Sequence, residues 1–148
     1  MLPITQGGCT VDYKLELVMV PVADVDRAKT FYVEQAGFEL LVDHTAGDFR
    51  VVQLTPKGSA CAIAMMPSSE MAPGSLHGLH LVVTDIDVAR AELVERRVDA
   101  SELFHFEAGG QTPGADPERS DYATFLTFHD PDGNTWLVQE VGHAVAGA

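Results

Sequence analysis

Two stretches of the chain share the same order of apolar and polar positions. The first, Leu17–Asp26, reads LVMVPVADVD, and the second, Gly78–Asp87, reads GLHLVVTDID. Each is a β-rich run that ends in V-x-D-(V/I)-D. An Asp at this position predicts a helix start, because its carboxylate accepts the free N–H groups of the first helical turn. The recurrence predicts an internal repeat of a strand followed by a helix.

The helices predicted after these motifs differ at their C-terminal ends. The first covers about Val25–Ala36 and shows a mostly apolar stripe, followed by Gly37 as a left-handed cap. The second covers about Asp87–Arg96, and Arg97 takes the place of the capping glycine. A non-glycine residue at positive φ is expected to cost under about 1 kcal/mol.

Three strands are predicted after each helix, and an x-P-x-G turn joins the last two. In the first unit the strands are about Phe38–Asp43, Phe49–Thr55 and Ser59–Met66; in the second they are about Ser101–Phe106, Tyr122–His129 and Asn134–Glu140. The second unit also carries an insertion, Glu107–Asp121, rich in Gly and Pro. Two interpretations stay open for it, a mobile surface loop or a lid over a binding cleft.

Composition and charge restrict the function. Hydrophobic residues make up 46% and the net charge is −13, which disfavours nucleic-acid binding and favours a cationic ligand. No apolar run is long enough to span a membrane, so no membrane partner is expected. Cys9 and Cys61 are interpreted as free thiols, from which we expect a cytoplasmic location.

Two motifs resemble signatures of the vicinal oxygen chelate superfamily, which includes glyoxalase I, bleomycin-resistance proteins and extradiol dioxygenases. They are DVDRAKTFYVEQAGF (Asp24–Phe38) and F-x-D-P-D-G-N-x-W (Phe128–Trp136). The resemblance implies an α+β fold of tandem βαβββ units, whose curled mixed sheets form a cleft with the helices outside. It also implies a homodimer. Residues 1–148 then form one domain, with unit 1 at about 14–66, a linker at 67–76 and unit 2 at about 77–141.

The same resemblance locates the metal-ligand positions of the family on the first and last strands of each unit. In this chain those positions carry Leu17, Ala62, Gly78 and Leu137. None of these side chains can coordinate a metal, whereas a catalytic metal needs about three protein ligands. The sequence therefore predicts no metal at that site and no cofactor. A different metal site built from His80, His105 and a carboxylate stays open as a minor alternative.

Strand alternation predicts which side chains line the cleft. The assignments on the third strands assume that each x-P-x-G turn pairs its flanking residues directly; a bulge at the glycine would reverse them. The predicted ligand-binding residues are Met19, Gln53, Ala64, His80, His105, Thr124, Phe128, Leu137 and Gln139.

A mostly apolar cleft with a few polar groups is typical of a site for an organic molecule. We therefore predict a metal-independent protein of the drug-sequestering kind that binds an aromatic or cationic small molecule. The alternative is a metal-free isomerase, epimerase or lyase for a carbonyl compound, with His80 as the catalytic acid or base.

Overall fold

The computed structural model of the chain describes residues 10–66 and 70–143 as two successive α+β units. Unit 1 contains β1 (Leu17–Met19), α1 (Val25–Thr30), a π-helical turn (Phe31–Gln35), β2 (Glu39–Ala46), β3 (Phe49–Thr55) and β4 (Ala62–Met65). Unit 2 contains β5 (Leu79–Val83), α2 (Ile86–Glu95), β6 (Phe104–Glu107), β7 (Gly110–Pro113), β8 (Phe125–His129) and β9 (Thr135–Glu140). Cys9 and residues 67–69 of the predicted linker lie outside the described residues, whereas Cys61 is a free thiol.

The two aspartates of the repeated motif cap the helices, as the sequence predicts. Asp24 accepts from the Arg27 N–H, and Asp85 accepts from the backbone N–H groups of Asp87 and Val88. The C-terminal expectations also hold, because Gly37 has φ 79° and Arg97 has φ 66°. The first helix differs from the prediction in one respect, since its last turn is π-helical rather than α-helical.

Each unit forms its own mixed sheet, and neither sheet closes into a barrel. Sheet A has the strand order β1-β4-β3-β2, and sheet B has the order β5-β9-β8-β6-β7. The first and last strands of each unit run parallel, whereas the other pairs are antiparallel. This arrangement confirms the predicted α+β class with two mixed sheets.

The insertion Glu107–Asp121 is not the irregular loop that the sequence suggested. Its residues Gly110–Pro113 form β7, which pairs antiparallel with β6 and places Phe106 beside Gln111. The rest of the insertion is held to sheet B by Arg119, whose guanidinium donates to the Glu140 carboxylate. The sequence did not predict β7, because glycine and proline are rare in strand interiors. β7 lies at the edge of sheet B, where proline is tolerated.

One buried apolar cluster contains residues of both units. Tyr32, next to α1, packs against Phe38 of unit 1 and Trp136 of unit 2, and Trp136 stacks on Phe128 with centroids 6.0 Å apart. The cluster also includes Val52 and Leu54 of sheet A. The helical segment of unit 1 therefore joins the two sheets through a shared core.

None of the helices within the described residues is both long and apolar enough to cross a membrane.

Candidate ligand-binding site

Sheet B has one face covered by helices and one face that is not. Leu126, Trp136 and Val138 belong to the shared core together with the helix residues Ala28 and Leu93. Alternation directs the intervening side chains to the opposite side, and the strand register groups them together. We call this side the open face of sheet B; it carries His80, Val82, Phe125, Thr127, Leu137 and Gln139.

Three aromatic rings cluster on the open face. Phe104 stacks on Phe125 at 5.6 Å between ring centroids, and Phe106 meets Phe125 edge-on, also at 5.6 Å. Phe106 is 60% exposed, whereas Phe104 is buried. An exposed aromatic edge beside a buried ring is suited to hold a further ring by stacking. This cluster is not among the predicted ligand-binding residues, although the spacing Phe104-His105-Phe106 is a signal for two rings on one face.

The corresponding face of sheet A holds the remaining predicted residues. Gln53 pairs with Ala64, and Ala64 pairs with Met19, so all three side chains lie on the same side. That side is opposite Leu54 and Ile63, which belong to the core. The structure therefore groups Met19, Gln53 and Ala64 on sheet A, and groups His80, Leu137 and Gln139 on sheet B.

Phe128 and Thr124 do not lie on the open face, contrary to the expected alternation. Phe128 pairs with Trp136 rather than with Leu137, and Thr127 occupies the position beside Leu137. The turn Asp130–Asn134 causes this register, because the Asp130 N–H donates to the Asn134 carbonyl. Phe128 is therefore in the core, and the buried Thr124 hydroxyl accepts from the Asp116 N–H.

His105 also faces away from the open face. Its neighbours Phe104 and Phe106 contact Phe125, so alternation directs the imidazole to the other side. His105 is buried and hydrogen-bonds to the Gly114 carbonyl at 2.7 Å and the Glu107 carboxylate at 2.8 Å. The hydrogen bond to Glu107 and that to Gly114 raise the pKa of His105. This histidine holds the β6–β7 hairpin and is not positioned to contact a ligand on the open face.

A crevice of about 350 Å³ separates the free edges of the two sheets. Val18 of β1 and Ala62 of β4 line one side, and Leu79 and His80 of β5 line the other. The exposed His80 imidazole forms no hydrogen bond or ion pair with any described residue, so it is available to a bound molecule. The crevice is otherwise mostly apolar; its lining also includes Leu15, Pro56, Ser59, Cys61, Ile63, Gly78, Leu81 and Trp136.

The residues at the metal positions of the family do not form a coordination site. Leu17 pairs with Ala62, and Leu137 pairs with His80 rather than with Gly78, which precedes β5. The register therefore adds His80 as one potential ligand at this level of the sheets, beside three side chains that cannot bind a metal. One imidazole falls short of the three protein ligands that a catalytic metal requires.

Another cluster of potential ligands, Asp85, Glu140 and His143, lies at the start of α2. The fully buried Glu140 carboxylate accepts from Arg119 at 2.7 and 2.8 Å and from the Ile86 N–H at 3.0 Å. The bond from Arg119 lowers the pKa of Glu140, and the carboxylate raises that of Arg119. Because Arg119 already supplies the positive charge, this cluster is a structural tie between sheet B, α2 and the insertion.

Comparison with known proteins assigns the family. The model of the Glyoxalase/Bleomycin resistance protein/Dioxygenase superfamily matches residues 14–138. TnmS3, an antibiotic binding protein from Streptomyces sp. CB03234, is 32% identical with a TM-score of 0.71, over 90% of this chain and 99% of that one. A glyoxalase/bleomycin resistance protein from the same organism is 34% identical with a TM-score of 0.67, over 86% and 100% of the two chains. The uncharacterized protein YetH of Bacillus subtilis (strain 168) is 26% identical over 83% of this chain and 94% of its own length. The chain belongs to the Glyoxalase/Bleomycin resistance protein/Dioxygenase superfamily.

Proposed function

We propose that the chain is a metal-independent binding protein for an apolar, ring-containing small molecule, and that it releases this ligand chemically unchanged. The supporting observation is the aromatic cluster of Phe104, Phe106 and Phe125 on the open face of sheet B. The similarity to TnmS3, an antibiotic binding protein, supports a ligand of the antibiotic type.

The aromatic cluster provides apolar contact area for the ligand, and the neighbouring polar groups orient the bound ligand by hydrogen bonding. An additional ring placed against Phe106 or Phe125 gains about 0.5–1.5 kcal/mol beyond the burial of its surface. Gln139 pairs with Phe125 across the sheet, so its amide can donate to or accept from a substituent of the stacked ring. Thr127 occupies the position on this face that the strand alternation predicts for Thr124.

The acidic charge of the chain favours a neutral or cationic ligand on the open face. The net charge is −13, and a field of that sign raises the local concentration of cations. Among the residues of the open face, none carries a permanent positive charge that would oppose this effect. The proposed ligand class is therefore an aromatic molecule with an amine or without charge.

We propose that a second copy of the chain packs against the exposed apolar side chains of β2. All eight residues of β2 are exposed, including the consecutive Leu40, Leu41 and Val42, and β2 is a free edge of sheet A. A hydrophobic edge strand left in water is prone to association. We expect a homodimer in solution, and Leu41→Glu should shift the mass measured by light scattering toward the monomer. Retention of the dimer mass in that variant would contradict a role of β2 in the interface.

The binding proposal is tested with a panel of polycyclic aromatic antibiotics, measured by calorimetry and by fluorescence of Trp136. Trp136, the single tryptophan of the chain, lies in the core on the other side of sheet B and lines the crevice. Binding on the open face should therefore leave its fluorescence largely unchanged, whereas strong quenching would place the ligand in the crevice and contradict the open-face site. We expect saturable binding and an unchanged ligand mass after release. Phe125→Ala should weaken binding by about tenfold, because it removes stacking and apolar contact area.

The matched control is Tyr13→Ala, which removes an aromatic ring that is 83% exposed and lies outside the strands. Its affinity should equal that of the wild type. Equal losses in the two variants, or a chemically altered ligand, would reject the proposal. Elemental analysis of protein purified without a metal-affinity tag tests metal independence, and a stoichiometric divalent ion would contradict it.

A metal-free enzyme is the second candidate, and His80 is the observation that favours it. The imidazole is exposed in a mostly apolar crevice and has no hydrogen-bond partner among the described residues. In this case a carbonyl compound would be isomerised or cleaved, and His80→Ala should lower turnover by about 10² to 10⁴-fold. Unchanged turnover in His80→Ala would remove this mechanism.

A further inference from the structure

A separate cavity of about 280 Å³ lies at the junction of the two units, next to α2. Its floor is apolar and includes the buried Phe38, Leu93 and Phe128. Its rim is charged, with Lys57 from the β3–β4 turn and Glu92 and Arg96 from one side of α2. The cavity therefore combines an apolar interior with an entrance of mixed charge and a net charge of about +1.

Among the described residues, four basic side chains form no ion pair; two of them lie at this rim, whereas the other two, Lys14 and Arg97, do not line the cavity. With nine Lys and Arg against 22 Asp and Glu, a basic side chain has many carboxylates to pair with. Ion pairs are formed by Arg27, Lys29, Arg50, Arg90 and Arg119. Within residues 10–66 and 70–143, Lys57 and Arg96 form no ion pair, not even with Glu92. Two unpaired cations thus lie at one cavity of a strongly acidic protein.

Arg96 is not required to complete the end of its helix. The side-chain amide of Gln35 donates to the carbonyls of Arg96 and Arg97, at 3.3 and 3.0 Å. These bonds satisfy helix-end carbonyls that would otherwise attract a guanidinium. The Arg96 guanidinium instead lies over Gly37, where a Cβ would come within 2.9 Å of Nη1. A glycine at position 37 leaves room for the guanidinium at the rim of the cavity.

The backbone of β5 adds a neutral donor to the same cavity. The Val83 carbonyl accepts from the Val141 N–H, on the side where β5 pairs with β9. In a parallel pair the alternate residue, Val82, directs its N–H and C=O to the other side. That side is the free edge of sheet B, and Val82 is one of the residues that line the cavity.

We propose that this cavity binds a small organic carboxylate with an apolar body. The carboxylate accepts from Arg96, Lys57 and the Val82 N–H, and the apolar body packs on Phe38 and the α2 side of the core. Glu92 opposes the ligand and limits its affinity. The overall negative charge of the chain repels anions, so selectivity arises from the two cations at the rim. The site is distinct from the open face of sheet B and does not depend on the proposed function there.

The test uses ¹⁵N-labelled full-length chain titrated with phenylacetate and, as a matched neutral probe, phenylacetamide. Phenylacetate should cause saturable shifts in the amides of Val82, Arg96 and Gly37, and phenylacetamide should bind at least about tenfold more weakly. Arg96→Gln should weaken phenylacetate binding by about tenfold or more, since a hydrogen bond to a charged group is lost. Glu92→Gln should strengthen it, because the opposing charge is removed.

The matched control is Arg97→Gln, which removes the same charge one residue further on, from a side chain that does not line the cavity. It should leave the phenylacetate affinity unchanged. Equal weakening by Arg97→Gln and Arg96→Gln would show a general charge effect and overturn the proposal. So would equal binding of phenylacetamide, weaker binding in Glu92→Gln, or shifts that spare both Arg96 and Gly37. If Arg96→Gln does not fold, Lys57→Gln in the exposed turn replaces it, and unchanged affinity in that variant overturns the proposal.

Discussion

The Tyr32 hydroxyl donates to Asp130 Oδ2 at 2.7 Å, which connects the helical segment of unit 1 to the β8–β9 turn of unit 2. The same hydroxyl accepts from the Trp136 indole N–H at 3.0 Å. Burial and the Asp130 charge raise the pKa of Tyr32, so the phenol keeps its proton and remains the donor. This chain of hydrogen bonds fixes the turn and with it the register of β8 against β9.

Tyr32→Phe tests the strength of this connection. The substitution leaves the Trp136 N–H unpaired and removes one donor from a buried carboxylate, which should lower the free energy of unfolding by about 2–3 kcal/mol. The measurement is the urea midpoint at an unchanged m-value. Tyr122→Phe is the control, because Tyr122 is 59% exposed, and it should change stability by less than about 0.5 kcal/mol. A similar effect of the two substitutions would contradict the role of Tyr32.

The alternation of the first and last strands in each unit, and of the third strand in unit 1, could be predicted from the sequence, but that of the third strand in unit 2 could not. The sequence treats the two x-P-x-G turns as equivalent, yet Leu54 pairs with Ile63 in unit 1 and Phe128 with Trp136 in unit 2. The number of residues between the two paired positions therefore differs by one between the units, and a shift of one residue moves the side chains of a strand to its other face. Asp130 sets the second register, because its Oδ1 accepts from three consecutive backbone N–H groups of the turn.

The aromatic cluster on sheet B could not be predicted from the sequence, because it also depends on how the strands pair. Phe125 joins Phe104 only when β6 and β8 are known to be neighbours with these two residues in register. That pairing is a tertiary relationship between distant parts of the chain, and the insertion between the two strands conceals it. The caps at Asp24 and Asp85 could be predicted because they depend on residues three or fewer positions away.

Glycine at position 74 is predicted to be indispensable for the contact between the linker and the β8–β9 turn. Gly74 has φ 79°, and a Cβ there would overlap the backbone carbonyl of Asp132. Gly74→Ala should therefore lower the free energy of unfolding in two ways. Alanine in the left-handed conformation costs about 1–2 kcal/mol, and overpacking against the Asp132 carbonyl costs about 1–3 kcal/mol more. Thermal and urea unfolding measure the loss.

Gly47→Ala is the matched control for Gly74→Ala. Gly47 also has a positive φ, of 60°, but a Cβ there has no neighbour within 4 Å. Gly47→Ala should therefore lower the free energy of unfolding only by the cost of placing alanine in the left-handed conformation, about 1–2 kcal/mol. If the two alanine variants are equally stable, the backbone contact of Gly74 with Asp132 contributes nothing.

The stability of the β6–β7 hairpin should fall as the pH rises through the folded pKa of His105. Both partners of the His105 ring, the Gly114 carbonyl and the Glu107 carboxylate, are acceptors, so both ring nitrogens carry protons when these bonds are made. The pKa of His105 is raised on folding, chiefly by the hydrogen bond to Glu107. The stabilisation is complete below the unfolded pKa and is lost as the pH rises through the folded pKa.

Hydrogen exchange of the β6 and β7 amides, followed from about pH 6 to about pH 9, measures this dependence after correction for intrinsic exchange rates. Protection should decrease with pH in the wild type. Glu107→Gln keeps a hydrogen-bond acceptor but removes the charge, so the loss of protection should begin at lower pH. A hairpin whose protection is independent of pH in the wild type would contradict a stabilisation that titrates with His105 in this range.

The ion pair between Arg119 and Glu140 is predicted to be the most important charged contact for stability. Glu140 has no exposed side-chain surface, and Arg119 donates to both of its oxygens. Arg119→Met removes the permanent cation from a buried carboxylate and leaves the His143 ring, at 3.2 Å, beside it, which should cost about 3–5 kcal/mol at neutral pH. Arg97→Met, which removes a surface cation that forms no ion pair with any described residue, should change stability by less than about 0.5 kcal/mol.

The pH dependence of the Arg119→Met variant separates loss of charge pairing from loss of packing. In the wild type the pKa of Glu140 is lowered, chiefly by the hydrogen bond from Arg119, so its stabilisation is present above the unfolded pKa and lost as the pH falls through the folded pKa. Without Arg119, burial favours the neutral acid and raises this pKa, so protonation stabilises the variant. The difference in unfolding free energy between the two proteins should therefore shrink from about pH 7 to about pH 4. A difference that stays constant over this range would mean that Arg119 contributes through packing of its side chain and not through its charge.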